Sequence, residues 1–280
     1  MSKPIKTITV CGCGWLGMTL ADQLVSDGYK VVGTKRSATD AKRLNQRGIQ
    51  GVQFDLNDTE SYQDKATVFG SDTLVLNIPP GRGKLESSEF VLAMKALIDE
   101  AKRGGVEQLI FISTTSVYGA AKGIIWENTP CAPDTASGIA HVEIEKYLSE
   151  QFAERGVVLR LSGLVGEARH PARYLAGRHD VPNGDDPVNL IHKVDCVNTI
   201  KALIAQNAKG GIYHLSAGEH PTRSSFYRWA AKEMGLEPPT FTKGEGAGKC
   251  IDASKTLQAL SLTLSYASPF DMPLPALKKK

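Results

Sequence analysis

The feature that most constrains this chain is a cluster of glycines near its start, Gly12-Cys13-Gly14-Trp15-Leu16-Gly17. A short, β-branched, apolar segment at residues 7–10 precedes it, and a helical pattern through Leu16, Leu20, Leu24 and Val25 follows. A strand running into this turn and a helix leaving it is the context in which G-x-G-x-x-G has a mechanism. The first glycine permits the tight turn, the second lets backbone approach a pyrophosphate, and the third lets the helix pack against the sheet. Amides of the first helical turn then face the phosphates. Gly12, Gly14, Trp15, Leu16 and Gly17 are therefore expected to bind a nicotinamide dinucleotide, whereas Cys11 and Cys13 read as small packing residues.

The next strand carries the cofactor preference. An NAD site places an acidic side chain near its end to accept hydrogen bonds from the ribose hydroxyls. Here the segment reads Gly33-Thr34-Lys35-Arg36, with no carboxylate. A cation there pairs with a 2′-phosphate, and an arginine does so through two parallel bonds. Lys35 and Arg36 thus favour NADP over NAD, the alternative being an exposed basic turn.

Further strands are expected at residues 30–34, 52–55, 74–78, 109–113, 157–161 and 212–215. Helices are expected near 40–47, 86–103, 194–204 and 225–234, the second with Phe90, Val91, Met94, Leu97 and Ile98 on one face. This alternation predicts an α/β fold, a Rossmann-type doubly wound parallel sheet. After residue 150 the pattern loosens, and residues 163–186 read as a long loop rich in Gly, Arg, His and Pro. The expected organisation is a dinucleotide domain over 1–162, with return segments near 188–215, and a smaller interleaved C-terminal substrate lobe over 163–280.

Several longer strings resemble the extended short-chain dehydrogenase/reductase superfamily, the NAD-dependent epimerase/dehydratase family. Phe54-Asp55-Leu56 is similar to the third-strand segment whose aspartate contacts adenine in relatives, and Leu76-Asn77-Ile78-Pro79 to the strand end beside the cofactor ribose. Ser113-Thr114-Thr115-Ser116-Val117-Tyr118-Gly119 resembles S-[ST]-x-x-V-Y-G, and residues 188–195, ending His192-Lys193-Val194-Asp195, resemble the I-H-V-x-D block. The resemblance covers nearly the whole chain. It implies cofactor contacts at Asp55 and Asn77, substrate contacts at Arg169 and His192, and pairing of two copies through residues 86–103 and 137–154.

The family's catalytic pair is missing. Active relatives carry Y-x-x-x-K, with tyrosine as acid or base and lysine lowering its pKa. In this chain Ser137 falls where the tyrosine belongs and His141 where the lysine belongs. A serine hydroxyl is too weak an acid to replace a phenol without an adjacent base. His141, one helical turn on, reads either as a packed or solvated histidine or as a group that bonds the ribose or acts as general acid. Thr114 stands at the family's catalytic Ser/Thr position, and Tyr118 is a second candidate proton donor. The pattern resembles the atypical branch of the superfamily. It leaves two expectations: an oxidoreductase or epimerase acting on a carbonyl or sugar-nucleotide compound through Thr114, Tyr118, Ser137 or His141, or a non-catalytic redox sensor.

Other classes are disfavoured. The 33 basic and 30 acidic side chains leave a net charge of +3, which does not suggest a nucleic-acid partner. The five scattered cysteines fit neither a disulfide framework nor a metal site, and the apolar runs are too short to span a bilayer. Residues 278–280 read as a solvated lysine tail, and residues 244–250 lack the pattern of a phosphate-binding P-loop. The expectation is a cytoplasmic protein with a small-molecule substrate and no membrane partner.

Overall fold

The computed structural model describes residues 6–56, 58, 64–80, 87–167, 169–244, 246 and 248–275. The lysine tail and Glu86, at the start of the expected second helix, lie outside the described residues. The strands are β1 (Thr7–Cys11), β2 (Lys30–Lys35), β3 (Ile49–Gln53), β4 (Thr73–Leu76), β5 (Gln108–Thr114) and β6 (Gly123–Ile125). They continue as β7 (Gly156–Leu161), β8 (Gly163–Val165), β9 (Leu190–His192), β10 (Gly211–Leu215) and β11 (Lys249–Ile251). The α-helices are α1 (Trp15–Ser26), α2 (Ala38–Leu44), α3 (Lys65–Phe69), α4 (Ser87–Arg103), α5 (Ala136–Phe152), α6 (Ala172–Leu175), α7 (Lys193–Ala205), α8 (Arg223–Glu233) and α9 (Ser254–Ala259).

Seven strands form one sheet in the order β10-β7-β5-β4-β1-β2-β3. The pairs β1–β2, β2–β3, β1–β4 and β4–β5 are parallel, so the expected Rossmann-type α/β fold is the one observed. From β1 the chain moves outward through β2 and β3, then returns to place β4 on the other side of β1. In an open parallel sheet, ligands bind beyond the carboxyl ends of the strands at such a reversal. The glycine loop leaves β1 at that point. The third strand starts at Ile49, earlier than its apolar residues suggest, because Val31 pairs with Ile49 and Lys35 with Gln53.

The chain divides into two compact units. The first comprises the described residues of Met1–Val117, Pro133–Leu159 and Ile200–Ile212. The second comprises those of Tyr118–Ala132, Arg160–Thr199 and Tyr213–Lys280. In the first unit α4 buries Phe90, Val91, Met94, Leu97, Ile98 and Ala101, a stripe at helical spacing. Each of the large side chains contributes roughly 1.5–3 kcal/mol by leaving water. They pack with Leu74, Leu76, Leu109, Phe111, Ile144 and Leu148 in one apolar cluster. Helix α5 starts at a capped end, where Thr135 Oγ1 accepts the Gly138 N–H at 3.1 Å.

The second unit has its own apolar cluster, with Phe226, Tyr227 and Ala230 of α8 against Val165, Ala172, Val188 and Leu190. Two small parallel sheets, β6 with β11 and β8 with β9, belong to it. The stretch 163–186, expected as a loop, contains β8 and the short α6. Three- and four-residue elements of this kind carry too little periodicity to read from sequence.

Candidate functional site

The glycine loop is shaped by contacts that only glycine satisfies. Gly12 has φ +101°, and a Cβ there would lie 2.4 Å from the Asn77 carbonyl oxygen. A Cβ on Gly17 would lie 2.3 Å from the Gly12 carbonyl oxygen, which is the close approach of helix to loop. Gly14 is different: it is exposed, and no atom lies within 4 Å of its Cβ position. Gly14 also caps α1 without any side-chain hydrogen bond, and the first turn of α1 carries no acidic residue. The amides of a first turn have no intrahelical acceptors, and the helix dipole places partial positive charge there. The open face at Gly14, followed by Trp15, Leu16 and Gly17, therefore suits an anionic group such as a pyrophosphate.

The flanking strands hold this loop. Asn77, just past β4, donates from Nδ2 to the Gly12 carbonyl at 3.0 Å. On the other side, Thr34 of β2 accepts the Gly12 N–H at 2.9 Å through Oγ1 and the Cys13 N–H at 3.1 Å through its carbonyl. Burial pushes the Cys11 thiol up to about 12 and the Cys13 thiol to about 11, so both are neutral packing groups near pH 7. Lys35 is half-buried and Arg36 exposed at the end of β2, and neither forms an ion pair among the described residues. Asp40, the first carboxylate after them, is engaged by Arg43 at 3.0 Å and by Ser37 Oγ at 2.8 Å. Asp55 is half-buried just after β3, bridged to Asp58.

The residues expected to carry chemistry in the first unit sit at the end of β5 and the start of α5. Thr114 is half-buried, its hydroxyl accepting the Ser116 N–H and donating to Ser116 Oγ, both at 3.1 Å. Gly138 packs so closely on this segment that a Cβ would lie 3.0 Å from the Ser116 carbonyl oxygen. Ser137 is half-buried, and its carbonyl oxygen accepts from His141 Nδ1 at 2.7 Å. His141 itself is 5% exposed, stacked on Phe111 at 5.6 Å and tilted against Phe90 at 6.3 Å. Burial lowers its pKa, only partly opposed by the bond to Ser137 and the nearby Glu145 charge. The ring is therefore a neutral, packed imidazole. One turn further, the buried Glu145 carboxylate accepts from Ser113 Oγ and ties α5 to β5.

Tyr118, Arg169 and His192 belong to the second unit. Tyr118 is fully buried, and Arg160 Nη1 donates to its hydroxyl at 2.5 Å while the guanidinium lies 5.0 Å from the ring centre. The Tyr118 hydroxyl also lies 2.5 Å from His214 Nε2. His214 Nδ1 donates to the Asp252 carbonyl at 3.0 Å, which leaves Nε2 as the acceptor for Tyr118. Burial lowers the His214 pKa, and the charged Arg160 guanidinium lowers it further, so the imidazole is held neutral beside that cation. His192 is also buried, accepts the Val194 N–H through Nδ1 at 3.3 Å, and meets Tyr266 edge-on at 4.6 Å.

Arg169 is exposed in a tight turn whose backbone pairs with Gly166 at 2.7 and 3.0 Å. His170, next to it, is 1% exposed against Phe226, and burial lowers its pKa to about 4. The apparent basic loop therefore contains a neutral, packed histidine. Thr34, Glu145, Arg160 and His214 were not singled out from sequence. Their partners lie 22, 32, 42 and 96 residues away, separations that no local pattern marks. No cluster of three or more His, Cys, Asp or Glu suited to a metal occurs among the described residues.

Residues 8–215 match the model of the NAD dependent epimerase/dehydratase family. The chain is 35% identical to Protein YeeZ of Escherichia coli K12 over 274 residues, covering 96% of this chain and 100% of that protein. Its fold is similar to that of the Bordetella bronchiseptica enzyme WbmG in complex with NAD, with TM-score 0.78, 18% identity, and coverage of 94% and 90%. It is also similar to UDP-glucuronic acid 4-epimerase from Bacillus cereus in complex with NAD, with TM-score 0.75, 21% identity, and coverage of 93% and 94%. This chain belongs to the NAD dependent epimerase/dehydratase family.

Proposed function

We propose that this chain binds a nicotinamide dinucleotide on its first unit, preferring NADP to NAD, and acts as an oxidoreductase-like member of its family. The observation that carries the reading is the glycine loop: a left-handed Gly12, an open face at Gly14, and an uncapped α1 without first-turn acids. WbmG and the UDP-glucuronic acid epimerase, which share the fold, were both obtained with NAD. The preference for NADP rests on Lys35 and Arg36, which end β2 in a stretch, residues 33–36, that carries no carboxylate. Asp55 and Asn77 complete the proposed cofactor contacts, Asn77 by bracing the loop. A cytoplasmic setting goes with this reading, in keeping with five cysteines that form no disulfide.

A bound nicotinamide supplies hydride chemistry. The chain's own part is orientation: Thr114, half-buried at the end of β5, hydrogen-bonds the substrate oxygen, with a carbonyl or sugar-nucleotide compound as the substrate class. Arg169 and His192 are proposed substrate contacts in the second unit. A second reading is a non-catalytic redox sensor, favoured by one observation: His141, where relatives carry lysine, is buried between Phe111 and Phe90. A homodimer through α4 and α5 accords with the exposed Leu92 and Ile139 on those helices.

Titration of both dinucleotides against the intrinsic tryptophan fluorescence, with Trp15 in the glycine loop as one of three emitters, tests the binding reading. NADP is expected to bind about tenfold tighter than NAD, with Lys35→Asp together with Arg36→Ala reversing the order. Tighter NAD binding by the wild type overturns the preference, and no binding of either overturns the reading. A screen for NADPH oxidation with a Thr114→Ala control separates enzyme from sensor. Turnover that survives Thr114→Ala removes that residue from the assignment.

A further inference from the structure

Residue Gly12 is gripped at both its polar groups by the strands on either side of β1. Its N–H donates to Thr34 Oγ1 at 2.9 Å, and its carbonyl accepts from Asn77 Nδ2 at 3.0 Å. Thr34 does more than this one bond. Its hydroxyl points its hydrogen toward Cys11 Sγ at 3.7 Å, which turns an oxygen lone pair toward the Gly12 N–H. Its carbonyl takes the next amide, Cys13 N–H, at 3.1 Å. The following amide, Gly14 N–H, turns back to the Gly12 carbonyl at 2.8 Å. Three consecutive loop amides are thus satisfied inside the protein. Thr34 is 2% exposed, so water does not compete for these bonds. The loop is thus held, at a left-handed Gly12, by the side chains of Thr34 and Asn77.

We propose that Thr34 is a positioning residue for dinucleotide binding, its hydroxyl fixing the Gly12 peptide so that the open face at Gly14 and the start of α1 are set before a ligand arrives. The proposal rests on the dinucleotide reading above and extends it to a residue outside the glycine motif. Fixing a loop in its bound shape raises affinity by removing the ordering cost of binding. Thr34 acts on the loop and not on the 2′ position, so both dinucleotides should respond alike. That separates it from Lys35 and Arg36, one and two residues on, whose replacement changes the ratio.

The test measures dissociation constants for NADP and NAD at 10 °C, on protein whose circular dichroism matches that of the folded wild type. Thr34→Val, which keeps the shape and removes the acceptor, is expected to weaken both by about tenfold. Thr34→Ser, which restores the hydroxyl, is expected to return both to within about twofold of wild type. A purely structural role would lower the melting temperature of Thr34→Val and leave these constants unchanged, and that result overturns the proposal. If Thr34→Val does not fold, amide exchange of the free wild type decides: a protected Gly12 N–H supports the grip, and free exchange refutes it. Wild type that binds neither dinucleotide defeats the dinucleotide reading, an outcome distinct from Thr34→Val binding as wild type does.

Discussion

Two segments of the first unit have met opposite fates. The glycine loop keeps each feature that an anionic ligand requires: a left-handed Gly12, a close-packed Gly17, an open Gly14 and an uncapped helix end. At the start of α5, Ser137 and His141 are parts of the helix and its core. His141 bonds backward to the Ser137 carbonyl and stacks on Phe111, and its pKa is lowered by burial. The difference teaches that the shape of the loop and the packing at the start of α5 are set by separate contacts within one fold. The loop is maintained by backbone geometry, whereas positions 137 and 141 are occupied by side chains engaged in helix and core contacts.

Breaking the loop should have the largest effect. Gly12→Ala puts a methyl 2.4 Å from the Asn77 carbonyl oxygen in a conformation that disfavours side chains. Overpacking with strain costs about 1–3 kcal/mol, so dinucleotide affinity should fall on the order of 100-fold by titration. An unchanged dissociation constant would show that the loop does not bind the ligand.

Acid sharpens the contrast, because the loop's own titratable groups, Cys11 and Cys13, do not ionise below neutrality. For His141 the folded pKa lies below the unfolded value, so the unfolded chain takes up the proton first. Its contribution is fully present above the unfolded value of about 6.5 and is lost as pH falls through that value toward the folded one. His170, with a folded value of about 4, acts in the same direction, its contribution being lost between about 6.5 and about 4. Denaturant unfolding should therefore show stability declining from pH 6.5 downward, at up to about 1.4 kcal/mol per pH unit for each such histidine. A His141→Phe variant should decline less steeply, and an equal slope would mean that the imidazole is not buried in solution.

The smallest effect is expected from the same variant at pH 7.5. A phenyl ring fits the stack on Phe111 and Phe90, so stability should stay within about 1.5 kcal/mol of wild type. Dinucleotide affinity should not change. If His141→Phe instead abolished a measured turnover while remaining folded, the imidazole would be chemical after all, and the comparison between the two segments would collapse.

Much of the fold was legible in the chain itself. Residues 7–10 with the glycine cluster, and the stripe from Phe90 to Ile98, announce a strand, a turn and two helices because their periodicities are local. Asn77 was recognisable from the string around it. Thr34 was not, since a β-branched residue at a strand end reads as strand, and its hydroxyl gains meaning only once Gly12, 22 residues earlier, lies beside it. The short strands β6, β8 and β11 were equally hidden, being three residues each and defined by partners far along the chain.

By itself, the sequence determined that a parallel α/β sheet forms, that a glycine loop ends its first strand, that basic residues end its second, and that a serine and a histidine stand one helical turn apart at positions 137 and 141. Those properties follow from residue type and near-neighbour spacing. Only the tertiary structure decided that His141 and His170 are packed neutral rings, that Tyr118 is enclosed by Arg160 and His214, and that the Gly12 peptide is gripped by Thr34 and Asn77. Burial and hydrogen bonding between distant segments set those outcomes, and neither is a property of any one stretch of chain.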